Sequence, residues 1–486
     1  MKLAYLLSPW CKTPIPDCNI THLQNDSRNV VPGDLFLAYP GAASDGRLYC
    51  QQAIASGAVA IAYDPNHLPE EFFHSERAIY VPMPDLATKL AAIASRFYDE
   101  PTRALTVTGV TGTNGKTTIA WQLAQAYSLL GSKSAYIGTL GQGDARALQP
   151  VGNTTPDALC LQQLFNDYQQ EGIKQVCMEV SSHALSQQRV AAINFSQAIF
   201  TNLTHDHLDY HLTMEAYAQA KALLFAQPSL QWAVINHDDT YAQLMIEQLP
   251  EQCQKLTYGL QEGADVRATH IAITMTGSAF DVTSPWGQFS LRIKTLGTFN
   301  IYNGLAVFAS LMAAGYEAKS VIKVMALLDA SPGRMELVAT KPCVIVDYAH
   351  TPDALENVLS TLVALKEGRI WVVFGCGGDR DKTKRPIMGQ IAGQYADEVI
   401  ITSDNPRSED PVTIIEGIEA GVLSSVKAVK IIDRKDAIHY ALSQASAQDI
   451  VLIAGKGHEN YQQIGHQRLH FSDQEVVRSY LDTVTL

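Results

Sequence analysis

Residues 104–118 read Ala-Leu-Thr-Val-Thr-Gly-Val-Thr-Gly-Thr-Asn-Gly-Lys-Thr-Thr. The run Leu105–Thr108, rich in β-branched residues, has a strand pattern. The glycine-rich turn after it ends in Gly115-Lys116-Thr117, and Thr117–Leu130 has helical spacing closed by Gly131. Strand, glycine loop and helix in that order form a phosphate cradle. Glycines let backbone N–H groups converge, and the helix N-terminus adds partial positive charge. Lys116 can reach terminal phosphates, and the Thr117 hydroxyl can sit on magnesium. The usual loop has a glycine five residues before Gly115. Val110 stands there, between Gly109 and Gly112, so the loop is a variant. The plainer alternative, a tight turn with a chance Gly-Lys-Thr, does not explain why strand and helix flank it as the mechanism requires.

Working outward, the pattern predicts three α/β units: residues 1–100, 101–330 and 331–486. The first carries strand patterns at 34–38 and 59–63 and an amphipathic helix at 86–98. In the second, strands alternate with helices as in a mostly parallel, doubly wound sheet. The strand Gln175–Val180 places Glu179 near its C-terminal end, where open α/β sheets bind ligands. The strand Ala198–Asn202 leads into Thr204-His205-Asp206-His207-Leu208-Asp209-Tyr210-His211, a concentration of imidazole and carboxylate that suits metal binding or base chemistry. A helix expected over Met214–Phe225 carries Lys221 among Ala220, Ala222 and Leu223. Lysine in such company usually snorkels; if buried, its neutral amine is favoured. Residues 270–283 alternate as antiparallel strands. The third unit is a second doubly wound, Rossmann-like domain with polar loops after its strands. No G-x-G-x-x-G opens a helix, which disfavours a nicotinamide cofactor.

With 47% apolar residues and a net charge of −13, the chain is expected to be globular, without general affinity for nucleic acid or membrane. Its eight cysteines form no C-x-x-C pair, so neither a disulfide framework nor a zinc site is expected. The short apolar stretch Leu3–Leu7 fits neither a signal peptide nor a membrane span, and a cytoplasmic location is the default expectation.

Thr111–Thr118 resembles the ATP loop of the Mur ligases. So do the segments Glu179–His183, His207–His211, Gly297–Asn300, Pro332–Glu336 and Asp347–Pro352, in the same order along essentially the whole chain. Asp404-Asn405-Pro406-Arg407 is similar to the signature of members that add meso-2,6-diaminopimelate to UDP-N-acetylmuramoyl-L-alanyl-D-glutamate in bacterial peptidoglycan synthesis. The resemblance implies an N-terminal UDP-binding domain, a central ATPase and a C-terminal amino-acid-binding domain. It implies ATP as co-substrate, two Mg2+ ions, small-molecule partners only and a monomer.

By position, Asn25, Ser27 and Ala42, Ala43 and Ser44 would touch uridine, the two alanines by backbone. Asn153, Thr154, Thr155, Ser182, Gln187 and Arg189 would hold the rest of the nucleotide-sugar dipeptide. Gly112, Thr113, Asn114, Gly115, Lys116, Thr117, Thr118, Asn300, Asn303, Arg334 and His350 would contact ATP. Thr117 and Glu179 would hold one metal. His207 and Lys221, the latter as a carbamate, would hold the second. Lys116, Glu179, His207 and Lys221 would thus be the catalytic set. Arg380, Asp404, Asn405, Pro406, Arg407, Gly455 and Glu459 would form the diaminopimelate site. There paired N–H donors of Arg407 and Arg380 suit a carboxylate, and Asp404 and Glu459 an ammonium. Leu212 and His205 depart from the glycine and arginine common in the family. A lysine-adding or polyglutamate-type ligase, a P-loop phosphotransferase or NTPase, and a non-catalytic nucleotide-binding protein remain the alternatives.

Overall fold

The computed structural model describes every residue except 12–13, 42–43, 424–425, 427 and 485–486. The uridine-turn residues Ala42 and Ala43 therefore lie outside the described residues. In the first sheet, β1 (Leu23–Gln24), β2 (Leu35–Ala38), β3 (Ala60–Tyr63) and β4 (Ile79–Pro82) pair in parallel in chain order. The helix Leu86–Phe97 buries Leu86, Leu90, Ile93 and Ala94 against them. That spacing of three and four gathers apolar side chains on one face.

The central sheet holds β5 (Thr106–Thr111), β6 (Ser134–Gly138), β7 (Gly141–Gly143), β8 (Gln175–Glu179), β9 (Phe195–Phe200), β10 (Trp232–Asn236), β11 (Gln254–Gly259), β12 (Val266–Thr274), β13 (Gly277–Ser284) and β14 (Gly287–Ile293). Their spatial order is β14-β13-β12-β11-β10-β9-β5-β8-β6-β7. The middle of the sheet is parallel, while β7 at one edge and β13 and β14 at the other run antiparallel to their neighbours. Helices Lys116–Leu129 and Thr298–Ala313 bury one face of the sheet. Helices Ala158–Gln170 and Met214–Ala222 contribute to the core on the other.

Strand β5 lies between β8 and β9, and Val110 faces both Glu179 and Ile199 across the ladders. This register sets the C-terminal ends of three strands at one level. It also accounts for Val110: the residue belongs to the strand and is fully buried, and the loop proper starts after it. The helix at 214 is shorter than expected. Its last turn tightens as the Leu224 and Phe225 N–H groups donate to the carbonyls of Lys221 and Ala222, three residues back, which brings both side chains into the core.

The third sheet comprises β15 (Glu336–Thr340), β16 (Cys343–Asp347), β17 (Ile370–Phe374), β18 (Glu398–Ile401), β19 (Ala428–Lys430) and β20 (Ile450–Ala454), in the order β15-β16-β20-β17-β18-β19. Only β15 is antiparallel. A hairpin, β21 (Tyr461–Ile464) with β22 (Gln467–His470), stands beside it and was not foreseen from the sequence. Among the described residues no helix is long and apolar enough to cross a membrane.

Candidate active site

The glycine loop closes over β9. Gly112 has φ 148°, and a Cβ there would overlap the Thr201 hydroxyl; at Gly115, φ 86°, it would meet Asn303 Oδ1 at 2.6 Å. Both positions therefore require glycine. The Asn114 N–H donates to Asn202 Oδ1 (2.9 Å), and Thr201 Oγ1 donates to the Asn114 carbonyl (2.6 Å). Lys116 Nζ donates to the carbonyls of Gly112 and Thr113, each at 2.8 Å. Removal from water lowers the Lys116 pKa, with Glu179 and Asp206 opposing that shift and Arg334 adding to it. The ammonium is thus tethered but not neutralised, and an anion would complete its surroundings.

Glu179 is buried at the end of β8 and accepts four hydrogen bonds. Tyr136 Oη (2.5 Å) and the Thr139 N–H (2.8 Å) reach Oε1; Thr117 Oγ1 (3.0 Å) and Thr139 Oγ1 (3.2 Å) reach Oε2. Carboxylate and hydroxyl are hard oxygen donors that suit magnesium. Among the described residues no three His, Cys, Asp or Glu side chains gather as a metal cage. An ion at Thr117 and Glu179 would take its other ligands from phosphate and water, as magnesium commonly does.

Lys221 is 1% exposed and donates from Nζ to the Gly112 carbonyl at 2.8 Å, over the Tyr217 ring. Burial foremost, then the charge of Lys116, pushes its pKa well down, against Asp206. Lys221 is therefore buried rather than snorkelling. His183, His207 and His211 pack edge-on with centroids 5.0 and 5.4 Å from His183, and His211 Nε2 lies 2.9 Å from Ser182 Oγ. The His207 pKa is lowered, chiefly by desolvation, with Asp206 opposing and Lys116, His183 and Lys221 contributing. A neutral imidazole is a competent ligand. Leu212, the departure from glycine, has φ 67° and is 78% exposed. A residue with a Cβ thus occupies backbone space that favours glycine.

The dipeptide residues form one network beside Glu179. Thr155 Oγ1 donates to the Glu179 carbonyl (2.9 Å), Arg189 Nη1 to the Thr155 carbonyl (3.0 Å), and Arg189 Nε to Gln187 Oε1 (3.0 Å). Thr154 Oγ1 is 3.1 Å from Thr139 Oγ1, and Asn153 is exposed nearby in sequence. In the first domain Asn25 donates to Tyr39 Oη (3.2 Å), Ser27 to Gln52 (3.0 Å), and Ser44 is exposed.

The third domain reaches the same place. Asn114 Nδ2 donates to Asp353 Oδ2 at 3.2 Å, and Thr118 Oγ1 lies 3.3 Å from Ser331 Oγ. Asn303 donates to Asn300, which donates to the Leu296 carbonyl. The Arg334 guanidinium lies 4.4 Å over the Tyr348 ring, with its Nε buried and unpartnered. His350 Nδ1 is 2.9 Å from the Tyr348 carbonyl, and Lys384 donates to the His350 carbonyl. Burial first and then Lys384 hold the His350 pKa at about 4. Burial, with Arg334 next, holds that of His458 at about 3, and its Nδ1 is also buried without a partner. Asp347 accepts the N–H groups of Met335 and Ala349, each at 2.7 Å, and so fixes the Arg334 loop to β16.

Asp404 through Arg407 are pinned by the hairpin. Asn405 Oδ1 accepts the Gln463 N–H (2.8 Å), Gln462 Nε2 donates to the Asp404 carbonyl (2.8 Å), and the Arg407 N–H donates to the Gln463 carbonyl (3.1 Å). Arg407 Nη1 donates to the Gly378 carbonyl at 2.7 Å, and Arg407 and Arg380 flank Gly377. Arg380 is exposed, whereas Asp404, Asn405, Pro406 and Gly455 are buried. Asn405 Nδ2 donates to Glu459 Oε2 at 2.8 Å. Lys456, in the polar strand-end loop 455–459, sits among them, its Nζ 3.4 Å from Glu459 Oε2.

Residues 19–98 match the description "Mur ligase family, catalytic domain", residues 110–311 "Mur ligase middle domain" and residues 333–457 "Mur ligase, glutamate ligase domain". A UDP-N-acetylmuramoyl-L-alanyl-D-glutamate–2,6-diaminopimelate ligase of Chromobacterium violaceum is 45% identical over 95% of this chain and 94% of its own length. One of Vibrio vulnificus is 43% identical over 99% and 98%. The chain belongs to the Mur ligase family. A solved structure of a ligase with the same printed name superposes with a TM-score of 0.71 at 39% identity, over 98% of this chain and 96% of the other. As a Mur ligase the protein is an ATP-dependent enzyme that forms an amide bond. The family motifs mark the strand-end loops but not Tyr136, Thr139, Lys384, Lys456 or His458. Tyr136, Thr139 and Lys384 make contacts that local sequence does not signal.

Proposed function

We propose that this Mur ligase joins meso-2,6-diaminopimelate to the side-chain carboxylate of the D-glutamyl residue in UDP-N-acetylmuramoyl-L-alanyl-D-glutamate. A carboxylate oxygen attacks the γ-phosphorus of ATP, and ADP leaves. The diaminopimelate amine then attacks the acyl carbon, and phosphate departs from the tetrahedral intermediate as the nitrogen loses its proton. The chain's own task is positioning and charge stabilisation. Lys116 and the N–H groups of Gly112 to Thr118 hold the phosphates, with Asn300, Asn303, Arg334 and His350 at the rest of ATP. Asn25, Ser27 and Ser44 hold uridine, and Thr155, Ser182, Gln187 and Arg189, with Asn153 and Thr154, orient the dipeptide. Arg407 and Arg380 clamp the distal carboxylate of diaminopimelate, a group lysine lacks, so lysine would leave the Arg407 fork unpaired.

Magnesium, with Thr117 and Glu179 at one ion and His207 and carbamylated Lys221 at another, would neutralise charge on the phosphate oxygens. The neutral Lys221 amine adds to carbon dioxide, an N–C bond forms, and one proton leaves to solvent. The single observation that carries the reading is the meeting of domains at the phosphate loop. Asn114 donates to Asp353, and Thr118 Oγ1 lies 3.3 Å from Ser331 Oγ, so the nucleotide loop abuts the domain that carries the amino-acid residues. The acyl-phosphate route is tested by placing 18O in the D-glutamyl carboxylate. One labelled oxygen should appear in the released phosphate; unlabelled phosphate would exclude the route.

A further inference from the structure

In the third domain, Asp404 and Glu459 already face an internal cation. Lys456 Nζ has no solvent exposure and lies 3.3 Å from Asn405 Oδ1, 3.4 Å from Glu459 Oε2 and 3.6 Å from Asp404 Oδ1. Its backbone is held on both sides. Arg434 Nη2 donates to the Ala454 carbonyl (2.9 Å), and Gln474 Nε2 donates to the Gly457 carbonyl (3.0 Å). Gly455 and Gly457 have φ of 109° and 52°. A Cβ on Gly457 would press on Gly333 and Tyr348. Arg434 is itself fully buried, forked onto Asp473 with two 2.8 Å hydrogen bonds. A buried cation anchored this firmly behind two carboxylates cannot swing out to water as a surface lysine does.

The charges explain the arrangement. Two carboxylates that share a site cannot both stay ionised without compensation. Burial raises the Glu459 pKa and Asp404 raises it further, whereas Lys456 and the Asn405 hydrogen bond lower it. The groups facing Glu459 are Asp404, Lys456, Tyr348 and Tyr461, with Arg434 behind. Arg407, across Tyr461, belongs to the carboxylate side of the pocket. The Lys456 ammonium, 3.4 Å from Glu459 and 3.6 Å from Asp404, offsets part of the negative charge of the acidic pair.

We propose that Lys456 is a positioning residue for the amino-acid substrate. Its buried ammonium cancels one of the two negative charges at Asp404 and Glu459, and it fixes the pair to accept a single substrate ammonium group. This rests on the diaminopimelate reading above, and the experiment keeps the two apart.

The test is steady-state kinetics of the full-length enzyme with ATP, magnesium and the UDP-sugar dipeptide, with diaminopimelate varied from about pH 6.5 to about pH 8.5. Lys456→Met removes charge and hydrogen bonds, Lys456→Gln keeps hydrogen bonding without charge, and Lys456→Arg keeps the charge. Met and Gln should raise the diaminopimelate KM about tenfold or more near the lower pH. The defect should shrink toward the higher pH, because loss of the cation raises the Glu459 pKa further and shifts its ionisation upward. The KM for ATP and for the dipeptide should stay put, and Arg should restore a flatter profile. An unchanged diaminopimelate KM, or a defect equal at every pH and for all three substrates, would overturn the proposal. If the Met variant does not fold, the Gln variant decides. Failure of wild-type enzyme to use diaminopimelate would instead sink the functional reading itself.

Discussion

The phosphate loop and the amino-acid pocket treat charge in opposite ways. In the loop, Lys116 and Lys221 donate to backbone carbonyls, Lys221 also lying over the Tyr217 ring, and burial works against the charge of both. In the pocket, Asp404 and Glu459 have Lys456 between them, with Arg434 and Asp473 paired behind. Neither lysine of the first region is ion-paired with a carboxylate among the described residues, and an incoming polyphosphate brings the partner charge. The second is nearly balanced, which suits a zwitterion whose charges must be matched one by one. The loop should therefore lose catalysis when a cation is removed, and the pocket should lose discrimination.

The largest effect expected is that of Lys116→Ala. Turnover should fall by at least about a thousandfold, since a preorganised charge at the transferring phosphoryl group is lost. Phosphate release measures it, and turnover near wild type would break the contrast. Next, Arg407→Lys should raise the diaminopimelate KM about 10- to 100-fold by losing the planar fork, with the ATP KM within about twofold. Equal loss of both would point to damage common to both regions.

A third effect concerns the interface between them. His350 and His458 have folded-state pKa values of about 4 and about 3, below the ordinary 6.5. Depressed values mean that the folded protein resists protonation. Both groups therefore contribute stability above about pH 6.5 that is lost as pH falls through about 4 for His350 and about 3 for His458. The thermal midpoint should drop over that window, and a His350→Asn, His458→Asn double variant should drop less steeply. The smallest effect is local. Leu212→Gly should stabilise the fold by about 1 kcal/mol in chemical denaturation, because glycine accepts φ 67° without strain. No gain would mean that the exposed turn relaxes without cost.

What the sequence made legible was local. Strand, glycine turn and helix around Lys116 are adjacent in the chain, so periodicity and turn chemistry reveal them. Glu179, His207 and Asp404 were found because they follow strands, and ligands gather at strand ends. Strand pairing then set the relation of Glu179 to Thr117 through the Val110 register. Other features depend on distant partners. Asn114 meets Asp353 across 239 residues, and Asn405 meets the hairpin strand beginning at Tyr461 through Gln463. The hairpin residues Gln462, Gln463, Gln467 and Arg468 lack a buried apolar face, so alternation did not announce β21 and β22. Lys456 lies in one of the polar loops after strands, where the pattern marks a ligand face but not the burial of this lysine. Its burial follows from Arg434, Gln474 and Gly333, none of them near it in sequence.

The most direct test is amino-acid-dependent phosphate release. Enzyme, ATP, magnesium and UDP-N-acetylmuramoyl-L-alanyl-D-glutamate are supplied with meso-diaminopimelate, L-lysine or glutamate in turn. Release should depend on diaminopimelate, with lysine and glutamate far behind. Preference for lysine would contradict the role of the Arg407 fork, and absence of release with all three would contradict the proposed reaction.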